Sequence, residues 1–177
     1  TMKKIIMLTF SAGLLLGVIS CKEKNPLLTD FNTPFGVPPF DKIKVEHFEP
    51  AFIEAMKQQK AAIDQIVNSK EEPTFENTIL ALEYSGALLS KVSGVFYPLS
   101  SANTGPAMQE VTQKLAPMFS RHNDDINLNP ELFKRIKAVY VKKDELDLNP
   151  EQLMLLTKIY DGFVRGGANL DPEKQAR

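Results

Sequence analysis

The chain has no tryptophan, a single cysteine (Cys21) and only two histidines (His47 and His122) in 177 residues, and each scarcity removes a class of chemistry. One thiol cannot close an internal disulfide, which excludes a disulfide-stapled scaffold, and it has no nearby histidine to act with as a nucleophile. A catalytic zinc takes three protein ligands, and His47 and His122 share no ligand spacing. The motif His-Glu-x-x-His, which places two histidine ligands one helical turn apart around a general base, does not occur. Charge of one sign is lacking too. The 21 basic and 22 acidic side chains leave a net charge of −1 and are spread evenly, so no basic field exists to attract nucleic-acid phosphates. Gly162, Gly166 and Gly167 follow no strand pattern, which argues against a phosphate-cradling loop. No residue here is given a catalytic, metal-ligating or cofactor-binding role.

What is present begins with a targeting pattern. Lys3 and Lys4 precede an apolar run from Ile5 to Ser20, shorter than the roughly 20 residues that span a bilayer comfortably. A charged start followed by a short apolar run is the layout of a secretory signal peptide. It ends at Val18-Ile19-Ser20-Cys21, which resembles a bacterial lipobox. That resemblance implies removal of residues 1–20, lipidation of Cys21, and a membrane-anchored lipoprotein of the bacterial cell envelope. Residues 21–40 read as a tether or extended arm, because prolines 26, 34, 38 and 39 lack amide donors and push their predecessors to extended geometry. Phe31, Phe35 and Phe40 recur along it, and such an arm is expected to pack on a neighbouring surface.

From Pro50 onward the helical period dominates, in a composition of 43% hydrophobic and 24% charged residues that suits a folded domain. Phe52, Met56, Ile63, Ile66 and Val67 predict a helix over about 48–68. Thr74 is an N-cap for a second over about 75–97, carrying Ile79, Leu82, Leu89, Val92 and Phe96, with Pro98 bending or ending it. A third starts near Pro106, carries Met108, Val111, Leu115, Met118, Phe119, His122 and Ile126, and is expected to kink or break at Pro117. His122 reads as a half-buried histidine capping a helix end. Asn129-Pro130-Glu131, Asn149-Pro150-Glu151 and Asp171-Pro172-Glu173 each combine an N-cap acceptor, a proline at the first helical position and an acid at the positive end of the helix dipole. Gly166-Gly167 stops the second of these helices. The acidic groups Asp124-Asp125 and Asp144-Glu145 with Asp147 lack calcium-loop spacing and read as solvated caps at turns. No strand alternation survives, so the fold class is all-α: an antiparallel helical bundle over residues 41–177, truncated at its C-terminal end.

The runs Pro38-Pro39-Phe40-Asp41, His47-Phe48-Glu49-Pro50-Ala51-Phe52, Pro73-Thr74-Phe75-Glu76-Asn77-Thr78 and Phe163-Val164-Arg165-Gly166-Gly167-Ala168 closely resemble, in order, the N-terminal helical region of the thimet-oligopeptidase-like zinc metallopeptidases, in the bacterial peptidyl-dipeptidase branch. The resemblance covers about Asn25 to Asp171. It implies a larger two-lobed all-α peptidase whose channel admits short peptides and whose zinc lies in a C-terminal catalytic portion, the partner of this region. The alternative is a stand-alone helical lipoprotein that binds peptide or another partner at the membrane.

Overall fold

The computed structural model describes residues 24–102 and 104–170. The expected signal segment, Cys21 and the helix start expected at Asp171 lie outside the described residues. Among those described there is no strand, and five helices follow a short arm: α1 (Phe48–Asn68), α2 (Phe75–Ala102), α3 (Pro106–Asn127), α4 (Pro130–Tyr140) and α5 (Pro150–Arg165).

Local signals in the sequence set the helix starts. Asn129 and Asn149 accept hydrogen bonds from the backbone N–H of Leu132 and Gln152, both at 2.9 Å, each with a proline in the first turn. Thr74 and Asn77 form a reciprocal pair, Asn77 N–H to Thr74 Oγ1 at 3.1 Å and Thr74 N–H to Asn77 Oδ1 at 2.9 Å, satisfying two donors that a helix start leaves free. The first turn of α2, Phe75–Leu80, is π-helical, and the helix is interrupted once at Gly86 (φ −90°, ψ 9°).

Neither proline ends its helix. α2 runs through Pro98 to Ala102, and α3 runs through Pro117 to Asn127. An internal proline frees the carbonyl four residues earlier. Those residues, Gly94 and Gln113, are exposed, so water can satisfy the carbonyl and neither helix has to end.

α1 is the spine of two separate cores. Its first half, through Phe48, Phe52 and Met56, packs with Val92, Val95 and Phe96 of α2 and Val111 and Leu115 of α3. Phe96 lies edge-on to Phe48 and Phe52, with ring centroids 5.0 and 5.3 Å apart. Its second half, through Ile63 and Ile66, packs with Phe75 and Ile79 of α2, Leu132 and Ile136 of α4, and Leu156 and Phe163 of α5. The pairing of Phe48 with Phe96 shows that α2 runs antiparallel to α1, while Phe52 meets Phe119 at 5.0 Å and α3 runs alongside α1 in the same direction. α4 and α5 form an antiparallel pair, with the Tyr140 and Tyr160 rings stacked at 3.8 Å.

The arm divides in two. Leu27 is fully buried in the first core, the Asn25 side-chain amide donates to the His47 carbonyl at 2.7 Å, and Phe31 lies under the Lys91 ammonium at 4.3 Å. These contacts fasten the arm as expected. Phe35 and Phe40 do not pack: Phe35 is wholly exposed at φ 59°, and Phe40 is 52% exposed. The turn explains this, since Phe35 and Gly36 both take left-handed backbone angles and swing the ring away from the helices.

Candidate functional site

Between the two cores lies a polar seam. Gln59 sits midway along α1, on the same face as Phe52, Met56, Ile63 and Ile66. Its Oε1 is 2.8 Å from His122 Nε2 on α3, and its Nε2 donates to Ser85 Oγ on α2 at 3.4 Å. Ser85 Oγ donates in turn to the Leu82 carbonyl at 2.6 Å. With the serine proton spent there, Gln59 must donate to Ser85 and accept from His122, so neutral His122 carries its proton on Nε2. The glutamine amide also occupies the space beside Gly86, where an added Cβ would stand 2.9 Å from Gln59 Nε2. A side chain at the α2 interruption would therefore displace the Gln59 amide from its place in the seam.

His122 is buried, and burial is the main cause holding its pKa below the ordinary histidine value; Lys60 lowers it further and Asp125 opposes. Lys60 and Asp125 form an exposed pair at 3.9 Å beside the seam. The structure thus corrects the reading of His122 as a helix-end cap, because α3 continues a further turn to Asn127. Asp124 and Asp125 likewise lie inside α3 and not at a turn. His47 sits at the arm's junction with α1, its Nδ1 accepting from the Lys44 N–H at 3.1 Å, and does not approach His122. Among the described residues no group of three or more His, Cys, Asp or Glu could hold a metal ion.

A second polar node was not anticipated from the sequence. Arg135 on α4 is 8% exposed and has no carboxylate partner among the described residues. Its guanidinium donates to the Ser69 and Glu71 carbonyls at 3.3 and 3.1 Å and to Asn77 Oδ1 at 3.2 Å. It therefore fastens the α1–α2 loop and the α2 cap to α4, while Nε has no partner.

Beside the seam, a cleft of about 520 Å³ opens between α2 and α5. Gln59 and Asn127 line it from α1 and α3, Gly86 and Ser90 from α2, and Lys158 and Gly162 from α5.

No family model matches the chain. The arrangement described is an all-α helical unit without a metal cluster among its described residues, and comparison with curated proteins relates it to peptidases. It is 41% identical over 153 residues to the dipeptidyl carboxypeptidase of Salmonella typhimurium and 38% identical over 153 residues to that of Escherichia coli. Oligopeptidase A of Escherichia coli is 27% identical over the same length. Each match covers 86% of this chain and 22% of the relative. The chain is thus similar in sequence to proteins named dipeptidyl carboxypeptidase and oligopeptidase A, in agreement with the resemblance carried by its motifs, and it spans about a fifth of the length of the relatives it matches.

Proposed function

We propose that the chain is the N-terminal helical part of a zinc-dependent peptidyl-dipeptidase or oligopeptidase acting on short peptides. In this reading it contributes to the wall of the substrate channel and packs against a C-terminal catalytic portion of the same polypeptide, which holds the zinc. The observation that carries it is the 41% identity, over 86% of this chain, to a protein named dipeptidyl carboxypeptidase. The absence of His-Glu-x-x-His from all 177 residues supports assigning the zinc and its general base to that other portion. The lipobox-like ending at Cys21 supports a lipid anchor on the bacterial envelope, with the helical unit held at the membrane surface.

The test has two arms. The purified chain should release no C-terminal dipeptide from N-blocked tetrapeptides, while a polypeptide extended along the same reading frame should do so in a chelator-sensitive manner. Dipeptide release by the chain alone would overturn the division of labour. A stop codon directly after that of Arg177 would instead favour a helical lipoprotein that binds peptide or a partner.

A further inference from the structure

We propose that the turn over residues 34–40 is a docking element, and that the Phe35 ring enters an apolar pocket on the catalytic portion of the longer polypeptide. That portion is the one the proposed function requires, so the identity of the partner rests on that reading. Residues 31–40 contain no charged side chain, in a chain where 24% of residues are charged. Phe35 is wholly exposed, and Val37 is 48% exposed beside it. Single apolar side chains on a surface are ordinary, but here the backbone itself is set to present one. Phe35 stands at φ 59°, ψ 15°, a left-handed conformation that a bulky side chain rarely adopts and that stores strain. Hydrogen bonds hold it there: the Gly36 N–H donates to the Thr33 carbonyl at 3.0 Å, and the Thr33 hydroxyl donates to the Val37 carbonyl. Pro34, Pro38 and Pro39 fix their own φ angles on either side.

Both legs of this loop are fastened to the first core. Leu27 and Phe31 hold one leg, Ile43 and Val45 hold the other, and the Asn25 amide closes the base on the His47 carbonyl at 2.7 Å. The turn therefore cannot collapse onto its own helices, and it offers the ring in a fixed shape, which lowers the ordering cost of docking. A bilayer takes up a ring at any angle and gains nothing from a strained backbone. Nor does a basic rim draw the turn to anionic lipid, because Asp41 adjoins Lys42 and Lys44 pairs with Glu46 at 3.8 Å. A preformed protein pocket does benefit from a fixed ring. The adjoining run Pro38-Pro39-Phe40-Asp41 is one of those that carry the resemblance to the peptidases, and the match covers only 22% of each such relative. Most of their polypeptide lies outside the matched region, and it is there that a pocket for the ring is expected.

The experiment replaces Phe35 by 4-fluorophenylalanine, in the 177-residue chain and in the polypeptide extended along the same reading frame. The fluorine signal is read with and without a soluble paramagnetic agent. In the chain alone the agent should broaden it fully. In the longer polypeptide the signal should shift and resist broadening, at every protein concentration and without lipid. Phe35→Ala gives a second readout: it should lower the melting midpoint of the longer polypeptide and leave that of the chain alone where it was. Equal broadening in a longer polypeptide that releases dipeptides overturns the docking and leaves the peptidase reading intact. Protection that needs phospholipid vesicles, or that is lost on dilution, also overturns it and assigns the turn to a bilayer or to a second copy. A reading frame that stops at Arg177 removes the partner and overturns both.

Discussion

Gln59 and His122 meet at 2.8 Å, and this contact joins the central helix to α3 at the level where one hydrophobic core gives way to the other. Both residues interrupt apolar stripes: Gln59 stands between Met56 and Ile63, and His122 between Leu115 and Ile126. Two polar side chains placed at the same height on facing stripes satisfy each other, and Ser85 on α2 completes the junction. Replacing Gln59 by leucine keeps the volume but leaves the buried His122 donor without its acceptor. An unsatisfied buried group costs about 1–3 kcal/mol, and urea unfolding of Gln59→Leu should show a loss of that size.

The same junction is sensitive to pH. His122 is held neutral by burial, so its folded pKa lies below the unfolded value of about 6.5. The unfolded chain then binds the additional proton first. Stability is accordingly full above that unfolded value and declines as pH falls below it, until the folded group also protonates. Asp125 works against the shift and Lys60 with it. His122→Gln should flatten the stability profile on the acid side of pH 6.5, as measured by midpoint temperature. An unchanged slope in that variant would assign the acid sensitivity elsewhere.

Arg135 yields a prediction from geometry alone. Its guanidinium reaches three acceptors on two segments, the Ser69 and Glu71 carbonyls and Asn77 Oδ1. A lysine ammonium is a point donor on a flexible stem and cannot reproduce the fork. Arg135→Lys should therefore destabilise the fold by about 2–3 kcal/mol, near the value for hydrogen bonds to a charged group, and hydrogen exchange should accelerate first in the loop from Ser69 to Thr74. Full protection of that loop in the variant would refute the role.

In the first core, Phe96 is 1% exposed and lies edge-on to two other phenylalanines. Truncating such a ring costs roughly 3–5 kcal/mol through lost transfer energy and the cavity left behind. Because domains of this size have about 5–15 kcal/mol in total, Phe96→Ala should lower the denaturation midpoint sharply. The exposed Phe35→Ala should leave it nearly unchanged, and calorimetry of the pair separates buried from presented aromatics.

Much of this was legible in the sequence, because the helix starts rest on local chemistry. Asn129-Pro130 and Asn149-Pro150 place caps where the structure has them, and the Thr74 cap was readable from the same rules. Pro98 and Pro117 left open whether their helices end, because that depends on whether the carbonyl a proline frees can reach water, which exposure decides and local sequence does not. The division into two cores was not visible, since each stripe on α1 looks continuous until Gln59 is recognised as a polar residue inside it. Arg135 escaped for a related reason: it falls beside Leu132 and Ile136 on the buried side of α4, but its acceptors are loop carbonyls, which leave no trace in side-chain patterns. His122 was placed on the buried side of its helix correctly but read as a cap at the helix end, because its contact with Gln59, 63 positions away, is a property of the packed helices.

The exposed side of α2 supplies the last prediction. Tyr84 and Tyr97 are 69% and 52% exposed, and Leu153 and Met154 on α5 are 39% and 56% exposed, while the stretch from Ala87 to Ala102 carries a single charged side chain, Lys91. Exposed aromatic and apolar side chains of this kind favour association in water. Residues 22–177 should be helical by circular dichroism, bind a hydrophobic dye and increase in apparent mass with concentration. Tyr97→Lys places a charge on the exposed side, gives up only the edge contact of the Tyr97 ring with Phe96 at 5.5 Å, and should reduce dye binding and self-association while leaving the helical signal intact. Equal dye binding by wild type and Tyr97→Lys would show that this side of α2 is not the adhesive surface.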